Sequence, residues 1–257
     1  MAFVFNGISS KDKDITARLT SWQALSALRN SFVFVPSRAG KIDFGGTAAE
    51  KIIMFKCNIF PQSDFSSLIS VLDDVAKWLN PDNGLCELML NDVPDRYFMS
   101  RLQEAVDCER LVRSSGAFDL NFICPDPFGY ALADEVFTLS STGIYSINRL
   151  KGNTASEPVY FLKGVISSST SSYVSIITND VELRIICELN VGEILIIDSS
   201  KVTAKIVNAQ GVITKNGLPC LQELYFPVLQ TGTNVISITT NSATFTELKI
   251  QAMSRWR

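Results

Sequence analysis

Apolar side chains recur at every second position in most of the patterned stretches of this chain, and the three-four spacing of a helix occurs only once. Alternation is the period of a strand with one face buried, so it confines the chain to a mainly β architecture. The exception runs from Asp64 to Asn80. There Phe65, Leu68, Ile69, Leu72, Val75, Ala76 and Leu79 form one stripe, and Asp73, Asp74 and Lys77 face water. Ser63 or Asp64 is placed to accept free backbone N–H groups at its start, and "NPDNG" (80–84) ends it, because proline cannot continue a helix.

Around that helix, "SFVFVP" (31–36), "KIIMFKCNIF" (51–60), "LCELML" (85–90), "RYFMSRL" (96–102) and "AFDLNFIC" (117–124) read as strands bounded by Gly, Pro, Asn or Asp. The first half is therefore predicted to be a β domain packed by one helix. The second half has no helical period. Strands are predicted in "VYFLKGVI" (159–166), "YVSIIT" (173–178), "ELRIICEL" (182–189), "EILIID" (193–198), "KVTAKIV" (201–207), "NVISIT" (234–239) and "FTELKIQA" (245–252). Short strands separated by turn signals such as "NAQG" and "TGTN" predict an antiparallel sandwich or jelly roll. "CPDPFGY" breaks the sheet pattern, which puts a boundary near 125–140 and predicts domains at 1–132 and 133–257. "SSSTSSY" (167–173) reads as a loop, and no internal repeat is found.

At 257 residues and 46% apolar content the chain has material for two packed cores. Its longest apolar runs, "IIMF" and "ILII", are strand-sized, so no membrane insertion is expected. The N-terminus lacks the basic start and apolar block of a secretory signal, and folding in the cytoplasm where the chain is made is the expectation. Six cysteines (57, 86, 108, 124, 187, 220) form no CxxC pair and read as free buried thiols.

The chain contains no histidine. That removes the commonest general base, the commonest metal ligand and every Ser-His or Cys-His nucleophile. Residues 1–130 carry 13 Lys/Arg against 16 Asp/Glu, so neither half offers the basic patch that displaces counterions from nucleic acid. The nearest cluster, "CERLVR" (108–113), includes a glutamate and follows Asp107.

Four motifs remain. In "LNDVPDRYFMSR" (90–101), Asp92 and Asp95 flank Pro94; Asn91 to Asp95 read as a turn, Arg96 pairs a carboxylate, and Arg96 and Tyr97 open the next strand. A glycosidase would need two carboxylates set across a cleft, which makes a histidine-free hydrolase the weakest reading. "RAGKIDFGG" (38–46) lacks the spacing of a phosphate loop, and Gly40, Gly45 and Gly46 fit positive backbone angles or close approach in an extended hairpin. "NPDNG" has too few oxygen ligands for a calcium loop, so neither metal nor cofactor is expected. The aromatics of the second half, among them Tyr145, Tyr160, Phe161, Tyr173, Tyr225, Phe226, Phe245 and Trp256, read chiefly as core, with sugar stacking as the alternative.

Taken in order, "FVFNGISSKD", "VPSRAGKIDFGG", the single helix, "DVPDRYF", "CPDPFGY", "GEILIIDSSKVTAKI", "FPVLQTGTNVISI" and the final "RW" resemble the distal tail protein family of long-tailed siphophages. The resemblance implies an N-terminal β domain that closes a hexameric ring, as one ring or two stacked, and a C-terminal galectin-like β-sandwich projecting outward. It implies a non-enzymatic hub at the virion tail tip, made in the host cytoplasm. The implied partners are further copies of the chain, the tail tube protein, the tail-associated lysin or tip protein, and receptor-binding or baseplate proteins. Gly40, Gly45, Asp95, Arg96, Tyr97, Pro127 and Phe128 would be structural signature positions. Subunit contacts are expected on Arg38, Lys41, Asp43 and Phe44, where a glycine-flanked hairpin mixes charge with an aromatic ring. The alternative is a carbohydrate-binding host-adhesion module, although the chain has no room for the inserted sugar-binding domain of some family members.

Overall fold

Alternation becomes antiparallel sheet in both halves, and the chain divides into two units, Met1–Leu132 with Arg257 and Ala133–Trp256. The computed structural model describes residues 2–104, 106–112, 115–169 and 171–257, with the side chains of 110–112 aside. Arg113 of "CERLVR" and Thr170 of "SSSTSSY" lie outside the described residues.

The first unit contains β1 (Phe3–Phe5), β2 (Ile8–Ser9), β3 (Ile15–Ser21), β4 (Leu28–Phe34), β5 (Lys41–Ala48), β6 (Lys51–Ile59), α1 (Phe65–Trp78), β7 (Cys86–Leu90), β8 (Val93–Leu102), β9 (Glu109–Val112), β10 (Ser115–Cys124) and β11 (Gly129–Ala131). Its main sheet runs β2-β1-β7-β8-β10-β6-β3, with β9 beside β10 and β11 beside β8. In β6, Ile53, Phe55, Cys57 and Ile59 point into the core, and β10 supplies Phe118, Leu120, Phe122 and Cys124. The register Phe55↔Leu120 and Ile53↔Phe122 locks both rows inward, since a one-residue slip would turn every one of them to water.

Asp64 caps α1, its Oδ1 accepting from Ser67 N at 2.8 Å. The buried line is Leu68, Val75, Trp78 and Leu79, while Phe65 and Ile69, expected inside, stay exposed. Trp78 rotates the buried face toward itself: its ring stacks on Phe3 at 5.6 Å and its Nε1 donates to Phe5 O at 3.0 Å. The hairpin after the helix also differs from expectation. Leu90 pairs with Val93, so the turn is Asn91–Asp92 alone, and Val93, Pro94 and Asp95 already belong to β8. A register shift at Met89/Leu90 accommodates Pro94, which has no N–H to give to the ladder.

The second unit contains β12 (Val136–Leu139), β13 (Gly143–Arg149), β14 (Val159–Ile166), β15 (Tyr173–Thr178), β16 (Val181–Ile185), β17 (Ile194–Asp198), β18 (Thr203–Val207), β19 (Ile213–Asn216), β20 (Gly232–Asn241), β21 (Ala243–Gln251) and β22 (Arg255–Trp256). Two antiparallel sheets, β12-β21-β14-β17-β18-β19 and β13-β20-β15-β16, contribute to one core. Leu162, Ile176, Leu183, Leu195, Ile236 and Leu248 are fully enclosed in it. Each such side chain contributes roughly 1.5–3 kcal/mol relative to exposure.

Tyr160 is buried there, and its hydroxyl donates to Thr178 Oγ1 at 3.0 Å. Of the nine second-half aromatics only Tyr225 is exposed; the other eight, Phe137 among them, are buried or half-buried. Arg149 is also buried, donating to Gln230 O at 3.1 Å and Ser156 Oγ at 2.7 Å. The two ends of this unit meet: Asp134 accepts from Met253 N and Ser254 N, and Glu135 from Leu150 N and Lys151 N.

Two of the six cysteines expected as free thiols are bonded to each other. Cys187 and Cys220 form a disulfide between residues 33 apart in sequence, joining the end of β16 to the turn Leu218–Cys220. Spacing along the chain carried no sign of it, because the fold and not a local motif brings the two sulfurs together. Cys57, Cys86 and Cys124 are free and buried, and Cys108 is free and half-buried.

Candidate functional site

The expected contact residues lie on a two-stranded hairpin, β4–β5, that pairs with no other strand among the described residues. Its tip turns at Val35–Gly40. Arg38 N donates to Val35 O at 3.2 Å, and Gly40 takes a φ of 78° that a side chain would resist. Phe34↔Lys41, Val33↔Ile42 and Phe32↔Asp43 pair near the tip, and Asn30↔Gly46 pair past a bulge. The extra residue sits on β5, where Gly45 has φ 87° and donates its N–H to Asp43 Oδ1 at 2.7 Å. Gly46 permits close approach, since a Cβ there would lie 2.5 Å from Asn30 Oδ1.

This register sorts the side chains into two faces. Leu28, Phe32 and Phe34 share one face with Lys41 and Asp43, and Lys41 Nζ lies 5.7 Å from the Phe32 ring. Val33, Ile42 and Phe44 share the other. Leu28, Phe32, Val33, Phe34 and Phe44 are 47–67% exposed, so apolar surface faces water on both sides of the arm. A lone hairpin is marginal in water, and an unpaired apolar one invites another surface onto it.

The root of the arm, by contrast, is fastened. Ala49 N donates to Ala27 O at 2.7 Å, and Ile52 N to Gln23 Oε1 at 3.1 Å. Lys51 is buried beneath Trp22, its Nζ 4.5 Å from that ring and 5.5 Å from Phe98. Burial lowers the Lys51 amine from its ordinary value, and the two aromatic faces favour the charged form against it.

The second group of signature residues gathers on β8 and on the segment that leads into β11. Arg96 grips Asp95 with both Nε and Nη2 at 2.9 Å, and Leu132 N donates to Asp95 O at 3.0 Å. Tyr97 lies 5.9 Å from Tyr130, whose hydroxyl donates to Asp126 Oδ2 at 2.5 Å; Asp126 Oδ1 accepts from Phe128 N. Pro127 is buried, and a Cβ on Gly129 would press 2.8 Å from Phe98. These residues seat the segment 125–132 on β8, apart from the arm.

Arg38, Lys41, Asp43 and Phe44 lie on the expected hairpin, whereas "SFVFVP", expected among the strands of the helix-packed β domain, forms the other strand of the arm. Leu28, Phe32, Val33 and Phe34, and the Trp22–Lys51 root, were therefore missed. A signal existed in "PSRAG", a turn with one basic residue at its tip followed by Lys41.

Residues 12–124 match the family described as phage tail protein RIFT-related domain. Among solved structures the chain is similar to SPP1 Dit (gp 19.1), described as a paradigm of hub adsorption apparatus in Gram-positive infecting phages. The TM-score is 0.74 at 14% identity over 97% of this chain and 98% of that one. A chain of the phage p2 baseplate in its activated conformation with Sr aligns at TM-score 0.45 and 11% identity over 93% of this chain and 91% of that one. No curated protein matches the sequence. Residues 12–124 thus resemble the phage tail protein RIFT-related domain, and across its length the chain shares the mainly β fold of SPP1 Dit.

Proposed function

We propose that this protein is a structural hub of a phage tail tip, whose first unit assembles with further copies of itself into a closed, hexameric ring. The observation that carries the reading is the β4–β5 arm, an extended hairpin with exposed apolar side chains on both faces and, among the described residues, no further strand beside it. Such a surface stays soluble by being covered, and an arm that reaches from each subunit onto the next is a heterologous contact that closes when the rotation closes. Arg38, Lys41, Asp43 and Phe44 lie on that contact surface, joined by Phe32 and Phe34. The RIFT-related tail domain and the fold shared with SPP1 Dit support a tail or baseplate role.

In this reading the ring continues the tail tube and carries the lysin or tip protein below it. The slightly acidic first half suits a conduit for DNA, since it offers passing phosphates nothing to grip. The second unit, a two-sheet sandwich of galectin-like type, docks receptor-binding or baseplate proteins. Presenting several receptor binders on one symmetric platform multiplies weak contacts by ~10² to 10⁴. The role is scaffolding, not catalysis.

Negative-stain microscopy of the purified full-length protein tests this. Closed rings with a central hole are expected, whereas open filaments or dimers related by a two-fold axis would contradict the ring.

A further inference from the structure

The first unit also carries an apolar cleft beside α1, lined by residues at the edge of its core. Leu72 of α1 and Leu79, which caps its end, line this cleft of about 480 Å³ together with Leu102 and Val106. The exposed carboxylates Asp73 and Asp107 line the same cleft. An adjoining polar groove shares Asp107 and adds Glu104, Glu109 and Asp119 against Lys56. The floor is apolar and the walls are acidic.

The arm has the opposite character. It carries three cations, Arg29, Arg38 and Lys41, against the single carboxylate Asp43. The rest of residues 1–130 carries 10 Lys/Arg against 15 Asp/Glu. A base-tipped apolar arm and an acid-walled apolar cleft thus occur on one chain, and the arm's exposed rings are not spent on the cleft of their own copy.

The geometry points to the cleft beside α1 as the seat for the β4–β5 arm of a neighbouring copy, with Phe34 or Phe44 on its apolar floor and Arg38 and Lys41 against Asp73 and Asp107. This rests on the reading that the chain assembles with itself through the arm, and adds the surface that receives it. Because donor and acceptor surfaces differ, each copy gives one arm and accepts one, the arrangement a ring requires. Opposite charges at the walls set the register of the contact, and the buried rings supply its strength.

Cys108 lines the cleft and is the free thiol that is not buried among the described residues, so it serves as a native reporter. Full-length protein carrying Ala39→Cys at the exposed arm tip is treated with a short bismaleimide and resolved under denaturing conditions. A ladder of covalent multimers is expected, with the 39–108 cross-link identified by peptide mass spectrometry, and it disappears when Cys108→Ser is added. Asp73→Lys with Asp107→Lys is expected to cut the cross-link yield about tenfold, and adding Arg38→Glu with Lys41→Glu to restore it.

Oligomers that form without a 39–108 link, or links joining 39 to 39, overturn this seat and leave the ring reading standing. A chain that gives neither oligomers nor links at any concentration overturns the reading of self-assembly, and the seat with it.

Discussion

β4 and β6 draw on the same kind of residue and meet opposite fates. "LRNSFVF" is exposed at every position, whereas "KIIMFKCNI" alternates and sends Ile53, Phe55, Cys57 and Ile59 to the core. β6 has β10 on one side and β3 on the other, with Phe3, Phe122 and Trp78 stacked beneath it. β4 has only β5. Hydrophobic composition therefore states that a surface wants covering, and the topology decides whether the chain covers it itself or leaves that to another molecule.

The comparison breaks first at the core. Phe55 is almost fully enclosed, with its ring 4.7 Å from Phe3 and 6.0 Å from Phe122. Phe55→Ala is expected to lower the stability of the first unit by about 3–5 kcal/mol, measured by urea denaturation. A loss below about 1 kcal/mol would mean that β6 is no more committed to its core than β4 is.

The second unit serves as a control that owes nothing to the arm. Reducing Cys187–Cys220, which closes a loop between residues 33 apart, is expected to remove about 2–4 kcal/mol from that unit while the oligomeric state stays unchanged. Comparing denaturation midpoints and sedimentation with and without reductant measures both at once.

A smaller effect comes from Glu182. The Ser175 hydroxyl, which donates to it at 2.5 Å, and then Arg184 at 2.8 Å hold its carboxyl below the ordinary glutamate range. A lowered carboxylate contributes stability above its unfolded value and loses it as pH falls through the folded one. Glu182→Gln is therefore expected to cost less than about 1 kcal/mol at neutral pH, because the side chain is over a third exposed and screened by water. The difference from the parent should vanish in acid titration; a difference that persists below the glutamate range assigns it to packing instead.

The smallest effect on stability is expected on the arm itself. At protein concentrations low enough to dissociate the oligomer, Phe34→Ser with Phe44→Ser should change the unfolding free energy by no more than ~0.5 kcal/mol, since both rings are exposed on the single copy. A large destabilisation of the dissociated protein would show that the arm packs on its own unit.

What the sequence made legible follows the same division. Strands with two neighbours were readable from alternation: 159–166 and 173–178 coincide with β14 and β15, and Asp64 caps α1 as its side chain allows. β1, β3, β12 and β13 were not singled out. "FVF" is too short to carry a period, and Gly143–Arg149 mixes exposed Ile144 with buried Arg149, inverting the usual pattern. The helix face was misjudged because Trp78 outweighs Phe65 and Ile69 once Phe3 and Phe5 lie beneath it. The arm was half read: its glycines and charges marked a hairpin, but whether "SFVF" faces core or water depends on a neighbour that local pattern does not encode. The Cys187–Cys220 bond was hidden for the same reason.

Sedimentation equilibrium on the full-length protein and on Phe34→Ser/Phe44→Ser tests the claim that the arm is covered by another copy. The parent is expected to sediment as a closed oligomer and the variant, equally folded by circular dichroism, as a monomer. Equal masses for the two proteins would contradict it.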